Sequence, residues 1–172
     1  DFANHPFLYA YYTGKDSKIH IGKMRVTDAG LEPLVDIFVG KEVFNQFHNG
    51  GGLDTDTQGR VYFSLGENYK PQLSQDITVE NGKVMRINRD GSIPSDNPYL
   101  SNADAPQALY AVGFRNPFRL SVDHTTSDVF VGDVGSEYAE EVNKVLPAKN
   151  YGWPDQEGGR CPNPCNFEKP IY

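Results

Sequence analysis

The chain has 172 residues, of which 38% are hydrophobic, enough to form the core of one globular domain. Its formal net charge of −7 argues against nucleic-acid binding, and no cluster of Lys and Arg offsets that charge. No apolar run is long enough to span a bilayer, and no signal peptide is recognisable. The 17 glycines and 12 prolines are typical of turn-rich all-β proteins.

Three segments share one pattern, in which an Asp and a polar turn precede an apolar, aromatic strand followed by Gly. Their aromatic residues Tyr9, Tyr62 and Phe130 recur at intervals that suit four-stranded blades with insertions. The repeat predicts a β-propeller whose first hairpin lacks its leading strand. The alternative is a single β-sandwich with coincidentally similar turns. The segments are DFANHPFLYAYYTG (1–14), DTQGRVYFSLGE (56–67) and DHTTSDVFVGDVG (123–135).

The stretch FHNGGGLDTDTQGRVYFSLGE at 47–67 predicts a β-hairpin, because a TQG turn signal precedes a run of β-branched and aromatic residues. His48 and Glu67 lie at about the same distance from the turn, so we expect them to be neighbours at its open end. A carboxylate beside an imidazole fixes its tautomer and raises its basicity. The pair is therefore a candidate general base. The alternative is that His48 is only a polar surface residue in a glycine-rich loop.

A second hairpin is predicted further along the chain, around the polar turn of the third repeat. Counting outward from that turn places Arg115 and Asn116 opposite Gly135 and Ser136. In a propeller such ends converge on the central channel. Arg and Asn side by side suit an anionic, carbonyl-rich ligand, since Arg donates charge-assisted hydrogen bonds. The alternative is that both residues only secure the loop before Pro117.

The two cysteines, Cys161 and Cys165, lie close together in RCPNPC. A zinc site would need further ligands, and none of the four histidines is near in sequence, which favours a disulfide. A disulfide indicates an oxidising compartment. The alternative is a pair of free buried thiols in a cytosolic protein.

Four motifs in order resemble successive motifs of the soluble glucose/sorbosone dehydrogenase family. These proteins are six-bladed β-propellers that use pyrroloquinoline quinone (PQQ), and the family includes aldose sugar dehydrogenases and hedgehog-interacting-type propellers. The resemblance implies an all-β chain in which residues 1–172 form a partial propeller domain, about half of the ring and truncated at both ends. The motifs are HNGGGLDTDTQGRVYFSLGE (48–67), NGKVMRINRDGSIPSDNPYL (81–100), YAVGFRNPFRLSVD (110–123) and VGDVGSEYAEEVNKVLPAKNYGWP (131–154).

The resemblance also implies roles for the two polar groups. His48 would be the general base that accepts the C1 hydroxyl proton of the sugar while hydride moves to the quinone, and Glu67 would be its acidic partner. Arg115 and Asn116 would contact the quinone oxygens and stabilise developing negative charge. The family usually has Asp at the position of Glu67 and Arg at the position of Gly52.

Calcium sites are implied in the same way. The main-chain carbonyls of Gly135 and Ser136 would hold the Ca²⁺ ion that binds the cofactor, because calcium favours oxygen ligands. A separate structural Ca²⁺ would be held by the Glu141 carboxylate and by the carbonyls of Tyr151 and Glu157.

Two functions follow from the resemblance. The first is a secreted or periplasmic enzyme that oxidises an aldose at C1 to the lactone and passes electrons to an external acceptor. Its partners would be the sugar, that acceptor, and further segments or chains that complete the propeller. The second is a non-catalytic extracellular propeller that is stabilised by calcium and binds protein or glycan. The presence of His48, Arg115 and Asn116 together favours the enzyme.

Overall fold

In the computed structural model, which describes residues 2–161 and 164–172, the chain forms three antiparallel β-sheets in sequence order. A 3₁₀ helix (Pro71–Ser74) is the only helical element in the described ranges. No helix among those residues is long and apolar enough to cross a membrane. The strands are β1 (Phe7–Thr13), β2 (Lys18–Thr27), β3 (Gly30–Leu31) and β4 (Val35–Val43) in the first sheet, β5 (Leu53–Thr55), β6 (Arg60–Leu65), β7 (Lys83–Asn88) and β8 (Leu109–Val112) in the second, and β9 (Pro117–Val122), β10 (Val129–Asp133) and β11 (Glu141–Val145) in the third.

The strand order explains the sequence repeat. The second sheet is a meander in the order β5, β6, β7, β8, and the third runs β9, β10, β11. In the first sheet β1 pairs only with β2, while β3 and β4 both pair with the other edge of β2. Tyr62 and Phe130 lie in β6 and β10, each preceded by a partner strand, whereas Tyr9 lies in β1, before which the described residues form no strand. The first repeat therefore lacks its leading strand, as predicted.

The second sheet is buried on both faces, which accounts for its almost continuous apolar strands. Along β6 the side chains alternate between two cores, as the pleat of a strand requires. Val61 and Phe63 pack with Ile19 and Ile21 of the first sheet. Tyr62, one residue away, packs with Val131 of the third sheet. Each sheet thus packs face to face with the next along the chain. This arrangement confirms the predicted all-β propeller fold and excludes a two-sheet sandwich.

Polar side chains also join neighbouring sheets. The Ser64 hydroxyl in β6 donates to the Pro117 carbonyl at 2.6 Å and accepts a hydrogen bond from the Gly52 amide at 3.1 Å. On the other side, the Asn68 amide group donates to the Val43 carbonyl at 3.0 Å. Because Ser64 and Asn68 lie at the end of β6 and just beyond it, these bonds fix the loops that leave the second sheet.

A buried lysine organises the connection from β6 to β7. The Lys83 ammonium donates to the carbonyls of Leu73 at 2.8 Å, Ser74 at 3.1 Å and Asn81 at 2.5 Å. Burial lowers the pKa of Lys83 to about 7. The three acceptors match the three donors of an ammonium group, so this side chain joins the 3₁₀ helix in the middle of the connection to the residues just before β7.

The predicted disulfide is present between Cys161 and Cys165, whose Cα atoms are 5.8 Å apart. The described part of the chain contains no free cysteine. The bridge closes a short loop near the end of the chain, so its effect on chain entropy is local.

Candidate active site

His48 and Glu67 are hydrogen-bonded at the open end of the second sheet. Nδ1 of His48 donates to Oε1 of Glu67, and the two side chains are 11% and 1% exposed. The predicted proximity of His48 and Glu67 is confirmed, although the observed strand register differs from the predicted one by one residue. The pairing of β5 with β6 extends to His48 and Asn68, whose amide donates to the His48 carbonyl at 3.3 Å. Because Glu67 fixes the proton on Nδ1, Nε2 of His48 is the atom left with a free lone pair.

Glycines allow the loops around His48 to approach closely. A Cβ on Gly66 would lie 2.1 Å from the His48 carbonyl oxygen, so no larger residue fits there. A Cβ on Gly52 would lie 2.5 Å from the Cβ of Leu120 in β9. The position at which the family usually has Arg is therefore closed by packing against the third sheet.

Arg115 and Asn116 lie against the same loops. The Gly50 amide donates to Oδ1 of Asn116 at 3.0 Å, and the Glu67 amide donates to the Arg115 carbonyl at 2.8 Å. The two polar groups predicted on separate hairpins thus form one cluster. The main-chain amides of Arg115 and Asn116 both donate to the carboxylate of Asp133, at 2.9 and 2.7 Å.

Asp133 was not predicted as part of the site. Burial, with a smaller contribution from the nearby Glu141 charge, raises its pKa to about 7 against the opposing effect of the two amide hydrogen bonds. The available signal was its position in the motif GDVG, at the end of β10 and across the hairpin from Arg115 and Asn116. A buried acid at such a strand end is placed to accept main-chain hydrogen bonds from the facing loop.

The predicted register of the second hairpin is wrong at its open end. Pairing follows the prediction over most of β9 and β10 but shifts at Asp133, where a β-bulge occurs. Asn116 consequently faces Val134, whose amide donates to the Asn116 carbonyl at 3.1 Å, so the register differs from the prediction by one residue. Gly135 and Ser136 lie beyond this contact.

The carboxylates of Glu141 and Glu157 bind main-chain amides of the surrounding loops. The Glu157 carboxylate accepts hydrogen bonds from the amides of Ser136 and Glu137, the latter at 3.1 Å. The Glu141 carboxylate accepts one from the Gly158 amide at 2.6 Å. These bonds tie the loop after β10 to the segment that follows the third sheet.

A cavity of about 10 Å³ lies between Arg115, Asp133, Glu141 and Glu157, close to the volume that one water-sized guest occupies. Within residues 2–161 and 164–172, no three His, Cys, Asp or Glu side chains are grouped to hold a metal ion. A calcium ion here would therefore need main-chain oxygens. The Tyr151 carbonyl, one of those predicted, accepts a hydrogen bond from the Gln156 side chain at 3.1 Å.

Aromatic rings border both halves of the cluster, and none of them was predicted. The Tyr69 ring stacks on the His48 imidazole with centroids 4.2 Å apart, and Phe47 contacts Tyr69 edge-on at 5.3 Å. The Arg115 guanidinium lies over the Trp153 ring, 5.5 Å from its centroid. The signal in the sequence was the proximity of Phe47 and Tyr69 to the two members of the predicted pair.

Several buried polar atoms around the cluster have no hydrogen-bond partner within the described chain. They include Oε2 of Glu67, Oδ1 of Asn49 and Nε1 of Trp153. Buried polar atoms are normally paired, so these atoms, of which those of Glu67 and Trp153 belong to residues in contact with Arg115, indicate a site that hydrogen-bonds to a ligand. Two acceptors, one donor and a cationic group suit a ligand that carries both hydroxyl and carbonyl groups.

The sheets pack face to face as in a propeller, and a histidine–carboxylate pair and an Arg–Asn pair lie on adjoining loops. These features are typical of propellers that bind a ligand or catalyse a reaction. The sequence profile of the Glucose / Sorbosone dehydrogenase family matches residues 1–167, and the chain belongs to this family. The aldose sugar dehydrogenase YliI of Escherichia coli is 30% identical over 165 residues, which cover 90% of this chain and 43% of that protein. The quinoprotein glucose dehydrogenase B of Acinetobacter calcoaceticus is 27% identical, over 92% of this chain and 38% of that protein.

Solved structures agree with this family relationship. The PQQ-bound form of an aldose sugar dehydrogenase from Streptomyces coelicolor superimposes with a TM-score of 0.86 and 28% sequence identity, covering all of this chain and 50% of that one. The chain therefore spans about half the length of the proteins it matches. It covers about half of a six-bladed propeller.

Proposed function

We propose that the full-length protein is a PQQ-dependent dehydrogenase that oxidises an aldose at C1 to the lactone and passes the electrons to an external acceptor. The observation that carries this proposal is His48, whose Nδ1 is held by the buried Glu67 beside Arg115 and Asn116. The relatives whose names include aldose sugar dehydrogenase and quinoprotein glucose dehydrogenase support the same chemistry.

His48 acts as the general base of the proposed reaction. Its Nε2 accepts the proton of the C1 hydroxyl, and Glu67 stabilises the imidazolium that results. Because Glu67 is buried, its attraction for the imidazolium is weakly screened by solvent. PQQ, when bound, supplies a quinone that takes up the hydride from C1.

Arg115 and Asn116 bind and orient the cofactor. The guanidinium of Arg115 would stabilise negative charge on the quinone oxygens of bound PQQ, and Asp133 fixes the backbone that carries both residues. The unpartnered atoms Oε2 of Glu67 and Nε1 of Trp153 fit a ligand with hydroxyl and carbonyl groups.

Calcium completes the proposed site. The carbonyls of Gly135 and Ser136 would hold one ion beside the cofactor, where its charge would polarise the quinone. The Glu141 carboxylate and the carbonyls of Tyr151 and Glu157 would hold a structural ion. The small cavity lined by Glu141 and Glu157 supports a cation near this loop.

The disulfide supports an oxidising location, which we propose to be the periplasm or the extracellular space. In that location the enzyme would meet free sugars and a separate electron acceptor. Further segments or chains would complete the propeller around the same site.

The proposal is tested by replacing His48 with Asn in the full-length, cofactor-loaded protein. Asn tolerates the backbone angle of His48, φ 50°, so the fold should be retained, whereas the base is lost. We expect kcat for aldose oxidation to fall about 10²- to 10⁴-fold. The matched control is His124→Asn, because His124 is exposed in the turn between β9 and β10. Turnover by His48→Asn equal to that of the control would remove His48 from this role.

A further inference from the structure

The turn after Glu67 has an unusual backbone. The Lys70 amide donates to the Glu67 carbonyl at 3.0 Å, and the two residues between them, Asn68 and Tyr69, have φ values of 60° and 57°. These are the φ values of a type I′ turn, whose central positions favour Asn and then Gly. Asn68 follows that preference. Tyr69 does not, because a bulky residue at positive φ is a conformational outlier.

The surrounding structure holds this turn in place through Asn68. Its side-chain Oδ1 accepts a hydrogen bond from the Asn45 amide at 2.9 Å, and its Nδ2 donates to the Val43 carbonyl at 3.0 Å. Asn68 is only 3% exposed, whereas Tyr69 is 57% exposed. The Tyr69 ring is therefore not held at this position to fill the core. Strained residues that do not serve the core are characteristic of functional sites.

What the Tyr69 ring contacts is His48. The two ring planes are inclined by 25° with centroids 4.2 Å apart. The Phe47 ring contacts the Tyr69 ring edge-on, at an interplanar angle of 75°. The hydrogen bond to Glu67 fixes one atom of the imidazole, Nδ1, but one bond leaves the ring free to pivot about that atom. A stacked ring restricts the remaining motion because it fixes the plane.

We propose that Tyr69 is a positioning residue that fixes the plane of the His48 imidazole, so that the lone pair of Nε2 points in a single direction. Glu67 fixes the tautomer, and Tyr69 fixes the orientation. The expected effect of Tyr69 on catalysis rests on the proposed function, whereas its expected effect on the orientation of the His48 ring does not. For comparison, outer-shell residues that orient metal-bound histidines are worth about 10- to 100-fold in metal affinity or activity.

The test compares Tyr69→Gly with Tyr69→Phe in the full-length protein. Gly suits the turn and removes the ring, while Phe keeps the ring and removes the hydroxyl. With labelled histidine, the His48 ring-proton resonances, identified by their loss in His48→Asn, should move downfield in Tyr69→Gly and stay near the parent position in Tyr69→Phe. In the cofactor-loaded protein, kcat should fall about 10- to 100-fold in Tyr69→Gly with KM changed less than threefold, and Tyr69→Phe should restore it to within about threefold. The melting temperature of Tyr69→Gly should stay within about 4 °C of the parent.

Two results would overturn the proposal. One is that the His48 resonances do not move in Tyr69→Gly, since the stack would then not exist in solution. The other is that they move while kcat stays at the parent value. If the parent protein oxidises no aldose, the proposed function fails, and the resonances alone then decide whether Tyr69 holds the His48 ring.

Discussion

The Ser64 hydroxyl joins the two halves of the candidate site, and its removal should be costly. It donates to the Pro117 carbonyl at 2.6 Å and accepts from the Gly52 amide at 3.1 Å. All three residues are buried. Pro117 directly follows Arg115 and Asn116, so this hydroxyl links the loop of His48 to the loop of the cofactor-binding pair.

In Ser64→Ala both main-chain groups lose their partner in a place that water does not reach. Each such group costs about 1–3 kcal/mol, so the free energy of unfolding should fall by about 2–6 kcal/mol. Urea unfolding of the full-length protein measures this as a lower midpoint with an unchanged slope. The control is Ser121→Ala on exposed β9, where the change should stay within about 0.5 kcal/mol. Equal midpoints for the two variants would refute the bridging role of Ser64.

Three further predictions concern charge. Hydrogen bonds to Asp36 and Asp16 raise the pKa of His20 above its ordinary value of 6.5. The stabilisation of the fold by protonated His20 is therefore complete below about pH 6.5 and is lost as pH rises through the folded-state pKa. His20→Gln should lower the free energy of unfolding more at about pH 5.5 than at about pH 8.5, and equal losses at both pH values would contradict this prediction. Lys83→Met leaves the Asn81 carbonyl without its donor, whereas the carbonyls of Leu73 and Ser74 keep main-chain donors, so the free energy of unfolding should fall by about 1–3 kcal/mol; a loss below about 0.5 kcal/mol would show that water replaces the ammonium. Chelation of calcium from the full-length protein should lower its melting temperature by about 5 °C or more, and an unchanged melting curve would argue against the site at Glu141.

The all-β propeller fold could be predicted from the sequence because a polar turn followed by an apolar, aromatic strand recurs along the chain. The pairing of His48 with Glu67 could be anticipated because a hairpin is symmetrical about its turn. The one-residue difference in register left the pair in contact, since a glutamate side chain can reach a neighbouring position. Gly66 and Gly52 were visible in the sequence, but the close approach that each one allows depends on tertiary packing, against the His48 loop for Gly66 and against the third sheet for Gly52.

Other parts of the site depend on features that the residue pattern does not encode. The bulge at Asp133 shifts Arg115 and Asn116 by one residue, and nothing in the preceding strand marks it. Tyr69 adopts a backbone conformation that its own propensity opposes, so local sequence predicts a different residue there. Both features lie at the candidate site, where local preference most often gives way to function.

The proposed dehydrogenase activity is tested most directly by titrating the full-length, calcium-loaded protein with PQQ and then adding an aldose while the absorbance of the cofactor is recorded. We expect stoichiometric binding and then reduction of the quinone by the sugar, with reduction lost in His48→Asn. A folded protein that binds no PQQ, or that binds it without reduction by any aldose, would contradict the central claim.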